Sequence, residues 1–308
     1  EDAFALSDDK IIMIDFYTDW CAPCKLLDSD TFTNEEVIQY VNNNFIPIKI
    51  NAESEYGMPL YEKFKGTGYP MIIFLDKEKN EIDRFYGFYP PNDFILKLNN
   101  ILSGDHTFPD LLTKYKLGDN SSSTIFELAK KYFSRGEYDD ALQLYEKILE
   151  NKDLSYNMFH ETNYSIGMIK LKNNESNNLE KYIRQYPESF LLKQSIINLL
   201  MYYKFNFLEK KELDLYNKYI DRFSNDPLFL NQYSWRMTEL NINLDNALQK
   251  INLSLSLIKN DDKNQAMIND TKAEVYWKLG EVDKAIIAIN ESIFIDPDNQ
   301  YYINQKEK

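Results

Sequence analysis

The only two cysteines of the chain stand two residues apart in Trp20-Cys21-Ala22-Pro23-Cys24-Lys25, just downstream of the apolar run Ile11-Ile12-Met13-Ile14. Residues 11–17 have the β-branched and aromatic content of a buried strand, and Pro23 suits the first turn of a helix. The spacing therefore predicts a strand feeding a helix, with both thiols at the helix start. Unpaired backbone N–H groups and the positive end of the helix dipole lower the pKa of a thiol placed there. The thiolate is the species that attacks a disulfide, and Cys21 takes that outer position. Cys24, one turn on, is placed to resolve a mixed disulfide. Zinc binding needs about four ligands, and the only histidines, His106 and His160, stand far away without ligand spacing. A purely structural disulfide across so short a loop constrains the unfolded chain weakly. The pair reads as a redox dithiol.

More of the chain supports this reading. The run Ile14-Asp15-Phe16-Tyr17-Thr18-Asp19-Trp20-Cys21-Ala22-Pro23-Cys24-Lys25, then Phe45-Ile46-Pro47-Ile48-Lys49-Ile50-Asn51 and Gly68-Tyr69-Pro70, resembles the thioredoxin family in residue type, order and spacing. The resemblance covers about residues 1–104. It leans toward the thioredoxin-like domains of bacterial envelope reductases, in which an acidic residue precedes Trp-Cys and a Thr-Phe pair, here Thr31-Phe32, follows the active-site helix. It implies an α/β thioredoxin fold with Cys21 as nucleophile and Cys24 as resolving thiol. It also implies Trp20, Ala22, Pro23, Tyr69 and Pro70 as the substrate-facing set, with a cis bond before Pro70. Asp15 and Lys49 match the buried acid and its lysine neighbour that move the proton of the inner thiol. Ala22 stands where thioredoxin has glycine, and Tyr69 and Met71 flank the proline, so substrate preference need not follow cytosolic thioredoxin. The residues allow the same roles independently: an acid between Ile14 and Phe16 is costly unless it works or is paired. Lys49, alternating with Ile48 and Ile50, can equally be a solvent-facing strand residue.

Apolar patterning predicts a short helix near 2–7, strand 11–17, helix 22–42 with a break near Asp30 to Asn34, and strand 45–51. A helix over 57–65, strands 71–76 and 81–86, and a helix over 91–102 follow. Turn-forming residues at 103–106 and 118–123 enclose the short apolar segment Leu111-Leu112-Thr113-Lys114-Tyr115, so residues 105–122 read as a linker. From 123 to 308 the pattern is helical. Ala129, Tyr132, Gly136, Tyr138, Ala141 and Tyr145 superpose on Ala273, Tyr276, Gly280, Val282, Ala285 and Ile289 at a shift of 144 residues. Both segments resemble the tetratricopeptide repeat, and a weaker copy runs through Trp235, Ala247, Ile251 and Ser254. The expectation is an all-α solenoid of about five helix pairs with a face for a protein partner. Tyr202, Tyr203, Phe205 and Phe207 are expected as packing residues, and His106 and His160 as a linker and a helix residue. The apolar stretch 189–208 is interrupted by Lys193, Asn198 and Lys204, so no membrane span is expected in this chain.

The net charge of −14 excludes the basic field that nucleic acid or anionic lipid requires. Residues 1–104 carry 9 basic and 18 acidic side chains, and the remainder carries 26 and 31. The chain starts at Glu1 without a hydrophobic leader, which fits a mature protein after signal removal or equally a chain trimmed at that point; it is the resemblance to envelope reductases that favours the periplasm over the cytoplasm. The expected activity is reduction of protein disulfides without a cofactor, fed by an upstream electron donor, with a disulfide-bearing protein as substrate. An interaction scaffold with a regulatory dithiol, and a disulfide oxidase or isomerase, are the alternatives.

Overall fold

The computed structural model describes residues 10–258 and 262–307; the short helix expected near 2–7 lies outside the described residues. Four strands form one sheet in the order β2-β1-β3-β4. β1 (Ile11–Tyr17) runs parallel to β2 (Phe45–Asn51) and antiparallel to β3 (Met71–Leu75), which pairs antiparallel with β4 (Glu81–Tyr86). Apart from Asp15, both central strands are apolar on both faces, so both faces need helical cover. The period of two sorts their side chains. Met13, Ile72 and Phe74 join Val37, Phe45, Phe85, Phe94 and Leu98 in one core. Ile12, Ile14, Phe16, Met71, Ile73 and Leu75 join Ala52 and Phe64 in the other.

The crossover from β1 to β2 holds α1 (Ala22–Leu26), a π-helical turn (Leu27–Thr31) and α2 (Glu35–Asn44). α2 restarts the helix because the Asn34 side chain accepts from the N–H groups of Glu36 and Val37. α3 (Gly57–Lys63) precedes β3, and α4 (Pro91–Ser103) follows β4 and ends on Gly104 at φ 74°, a left-handed cap that glycine adopts without strain.

Residues 105–122 are not simply a linker. α5 (Phe108–Lys116) occupies half of the segment, with Leu111 buried and Phe108 set edge-on to Tyr132 at 5.1 Å. The turn-forming residues on either side mark helix ends. α6 (Ser122–Ser134) is capped by Ser121 and followed by Arg135. Lys131 and Arg135 both ion-pair with Asp83, which β4 buries to 3% exposure. Arg135 also meets Glu81 at 2.8 Å and lies 4.2 Å from the Phe108 ring centre. The first helices of the helical region are thereby joined to the sheet by buried charge pairs, and the first compact unit runs through Ser195.

Within it, α6 pairs with α7 (Tyr138–Leu149), and α8 (Tyr156–Lys172) with α9 (Asn177–Gln185). Ala129 and Ala141 are fully buried where α6 and α7 approach, and Gly136 at φ 72° makes the turn between them. His160 is buried beside Tyr182, with its Nδ1 2.9 Å from that hydroxyl. His106 is exposed at φ 55°. α10 (Leu192–Phe205) carries the chain into the second compact unit, which starts at Ile196. That unit continues with α11 (Glu209–Tyr219), α12 (Pro227–Leu240), α13 (Leu244–Leu257), α14 (Asp262–Lys278), α15 (Val282–Ile295) and α16 (Gln300–Glu307). Ala247, Ile251 and Ser254 are buried, and Gly280 turns at φ 78° as Gly136 does. These are the expected repeated helix pairs. Phe205 and Phe207 are 70% and 93% exposed, so of the four aromatics expected to pack, Tyr203 alone is buried. α10 ends at Phe205, and Phe207 sits in the turn beyond at φ 57°, outside the helical period. Among the described residues no helix is long and apolar enough to cross a membrane.

Candidate active site

β1 delivers Thr18 and then Cys21 to the start of α1. The Cys21 N–H donates to the Thr18 carbonyl at 3.2 Å, and Cys21 caps the helix in an extended conformation. The two cysteines are joined in a disulfide, with Cα atoms 5.3 Å apart. The Cys24 N–H donates to Cys21 Sγ at 3.1 Å, so the sulfur occupies the position of a helix-capping acceptor. The sequence placed Cys21 outermost, but in this oxidised state both cysteines are 3% exposed, while Trp20 and Ala22 are exposed.

The peptide bond between Tyr69 and Pro70 is cis. Pro70 is buried and its carbonyl accepts from the Gly87 N–H at 3.1 Å. The Tyr69 ring meets Trp20 edge to face at 5.7 Å and stacks on Tyr61 of α3 at 4.9 Å. Tyr61 donates its hydroxyl hydrogen to the Gly68 carbonyl at 3.0 Å, and burial beside Tyr69 raises that hydroxyl's pKa. The Trp20 indole N–H donates to Glu53 Oε1 at 2.8 Å. Trp20 and Tyr69 are thus brought together from 49 positions apart in the sequence. Glu53 and Tyr61, which carry the contact further, escaped the sequence reading because no residue pattern marks them.

Asp15 is 3% exposed in the middle of β1, and its Oδ1 has no protein partner. Lys49 stands opposite it in the β1–β2 register, with Nζ 3.8 Å from Asp15 Oδ2, too long for a hydrogen bond. Instead the ammonium pairs with Asp28 of the π-helical turn and lies 4.7 Å from the Tyr17 ring centre. Desolvation raises the pKa of Asp15 to about 7, with the Asp28 charge adding to the rise and Lys49 opposing it. A cavity of about 230 Å³ borders Asp15, Lys49, Phe32 and Val37. Asp28 went unnoticed in the sequence, although it follows Cys24 by four residues and so shares its face of the helical run. Among the described residues no three His, Cys, Asp or Glu side chains gather as metal ligands.

Residues 3–102 match the thioredoxin-like domain family. Over 94 residues the chain is 34% identical to the thiol:disulfide interchange protein DsbD of Yersinia pestis, covering 30% of this chain and 16% of that one. DsbD of Campylobacter jejuni is 32% identical over 90 residues, 29% of this chain and 16% of the relative. The chain therefore matches about a sixth of the length of these curated relatives. The oxidised C-terminal domain of Neisseria meningitidis DsbD is 26% identical with a TM-score of 0.29, covering 32% of this chain and 86% of that one. A tetratricopeptide repeat protein from Parabacteroides merdae is 11% identical with a TM-score of 0.39, covering 70% and 80%. The N-terminal part of the chain is a thioredoxin-like domain carrying a Cys-x-x-Cys pair.

Proposed function

We propose that this chain is a thiol-disulfide oxidoreductase that reduces protein disulfides through Cys21 and Cys24, and that its helical region binds a protein partner. The observation that carries the reading is the strand-to-helix junction that joins both cysteines in a disulfide and turns the Cys24 N–H onto Cys21 Sγ. In the reduced form the Cys21 thiolate attacks one sulfur of a substrate disulfide. A mixed disulfide forms and the first substrate sulfur leaves as a thiolate. Cys24 then gives its proton to Asp15 and attacks Cys21 Sγ. The Cys21–Cys24 disulfide closes, and the second substrate sulfur departs and takes up a proton. A dithiol donor returns two electrons and two protons for the next cycle. Asp15 suits the acceptor role because a carboxyl with a pKa of about 7 takes and releases protons near neutrality. Burial sets that affinity, with Lys49 lowering it and Asp28 adding to it. Trp20, Ala22, Pro23, Tyr69 and Pro70 form the surface met by the substrate.

Electrostatics supports the reducing direction. Strong oxidants of this type owe their potential to a stabilised thiolate. Here, among the described residues, one backbone N–H reaches Cys21 Sγ, and the domain's acidic excess opposes a second negative charge. Such a site favours the disulfide and acts as a reductant. We place it in the periplasm, in keeping with the resemblance to envelope reductase domains.

For the partner, the second compact unit has a cavity of about 670 Å³ lined by Leu200, Met201, Asn231, Trp235, Arg236 and Tyr301. Arg236 is held by Glu212 at 2.7 and 2.8 Å, while the buried Asn231 Oδ1 has no protein partner and offers an acceptor to an entering peptide N–H.

The test is dithiothreitol-driven reduction of a model protein disulfide by the full chain, together with its reduction potential. Turnover lost in Cys21→Ser and a potential near about −270 mV support the reading, and a potential near about −120 mV makes the protein an oxidase. Equal turnover in Cys21→Ser leaves the scaffold alternative.

A further inference from the structure

We propose that Trp20, Tyr69 and Tyr61 form an aromatic cover over the Cys21–Cys24 disulfide and that Glu53 is its latch, a positioning role that rests on the oxidoreductase reading above. Both cysteines are 3% exposed although Trp20, Ala22 and Lys25 around them are solvent-facing. The residue before Cys21, the residue before Pro70 and a residue of α3 supply three rings in one row, in contact at 5.7 and 4.9 Å. Two of these rings are well held. Tyr61 is anchored through its hydroxyl to the Gly68 carbonyl, and Tyr69 stacks on it just before a buried proline. Trp20 differs. It is 65% exposed, and its edge contact with Tyr69 is supplemented by the indole N–H bond to Glu53.

Glu53 is well placed to hold it. The Glu53 N–H donates to Asn51 Oδ1 at 2.9 Å, and the Ala52 N–H to the Tyr17 carbonyl at 2.8 Å, so the loop is tied to the end of β1. Asn51 reaches back to Asp19, next to Trp20, at 3.3 Å. Latch and ring therefore rise from one braced junction. Attack on the disulfide requires Trp20 to swing away, and a docking partner that draws the indole from Glu53 opens the site it is about to use.

The experiment follows reduction of the protein's own disulfide by dithiothreitol at high salt, with an alkylation quench and intact mass as readout. One dithiothreitol thiolate attacks the disulfide and its second sulfur closes the cyclic product, leaving Cys21 and Cys24 as thiols. Glu53→Ala is expected to react roughly fivefold faster, the weight of one exposed hydrogen bond. Trp20→Ala should match or exceed it, and the double variant should equal Trp20→Ala, because both substitutions remove the same cover. Glu53→Gln, which retains an acceptor for the indole, should restore the slow rate. An unchanged rate in Glu53→Ala overturns the proposal. So does a Glu53→Gln rate as fast as that of alanine, since the effect is then loss of a repelling charge. No turnover is measured, so the oxidoreductase reading is tested separately.

Discussion

A carboxyl group at position 15 has apolar neighbours in its own strand and only a distant ammonium for company, and both its cost and its use follow from that. Its pKa of about 7 lies above its unfolded value of 3.8, so the native state holds a proton that the unfolded chain releases. The contribution of Asp15 to stability is therefore greatest below about pH 4 and declines as pH rises toward 7, by a few kcal/mol at about 1.36 kcal/mol per pKa unit. Asp15→Asn is expected to abolish that decline, raising stability at pH 8 and changing little at pH 4, as denaturant unfolding at both pH values will show. The same substitution should slow closure of the Cys21–Cys24 disulfide and erase the rise of that step through pH 7. Asp28→Asn should lower the Asp15 pKa, because it deletes a repelling charge and frees Lys49 to turn inward; carboxyl NMR titration reads the shift directly. Asp15 itself was legible as an acid breaking an apolar run. Its coupling to Asp28 was not, because the pair meets only once β2 brings Lys49 between them.

The elements were legible where their periods were strong. β1 and β3 are long apolar runs, and the N-cap at Asn34 marks the restart of α2. α5 was missed because its flanking glycines and aspartates imitate a linker, while its reason for folding, the packing of Phe108 and Leu111 on α6, is a tertiary effect. The pairing of Asp83 with Lys131 and Arg135 was equally invisible, being a contact between residues 48 and 52 positions apart. Removing one member of a buried charge cluster leaves the others uncompensated. Asp83→Ala should cost about 3 kcal/mol in denaturant unfolding. Replacing Lys131 and Arg135 with methionine in the same chain should recover much of that loss. By the same reasoning, a fragment ending at Gly104 should melt below one ending at Ser195, since it loses both cations and the cover of α5 and α6.

At the scale of the whole molecule, all the candidate redox chemistry lies in the thioredoxin-like domain, and a long array of helix pairs follows it. The array contributes no catalytic group to the cycle proposed for Cys21 and Cys24; the part proposed for it is to raise the local concentration of a partner disulfide. The internal repeat and the cysteine pair were both visible in the sequence, because each depends on short-range spacing. The join between helices and sheet depends on long-range contacts and was not. The cycle proposed for Cys21 and Cys24 depends most directly on which sulfur attacks. A purified Cys24→Ser full-length chain, incubated with a peptide containing one intramolecular disulfide, should accumulate a covalent adduct. Its mass should equal protein plus peptide, and proteolytic mapping should place the bond at Cys21. A Cys21→Ser chain that forms the adduct through Cys24 at the same rate contradicts the account.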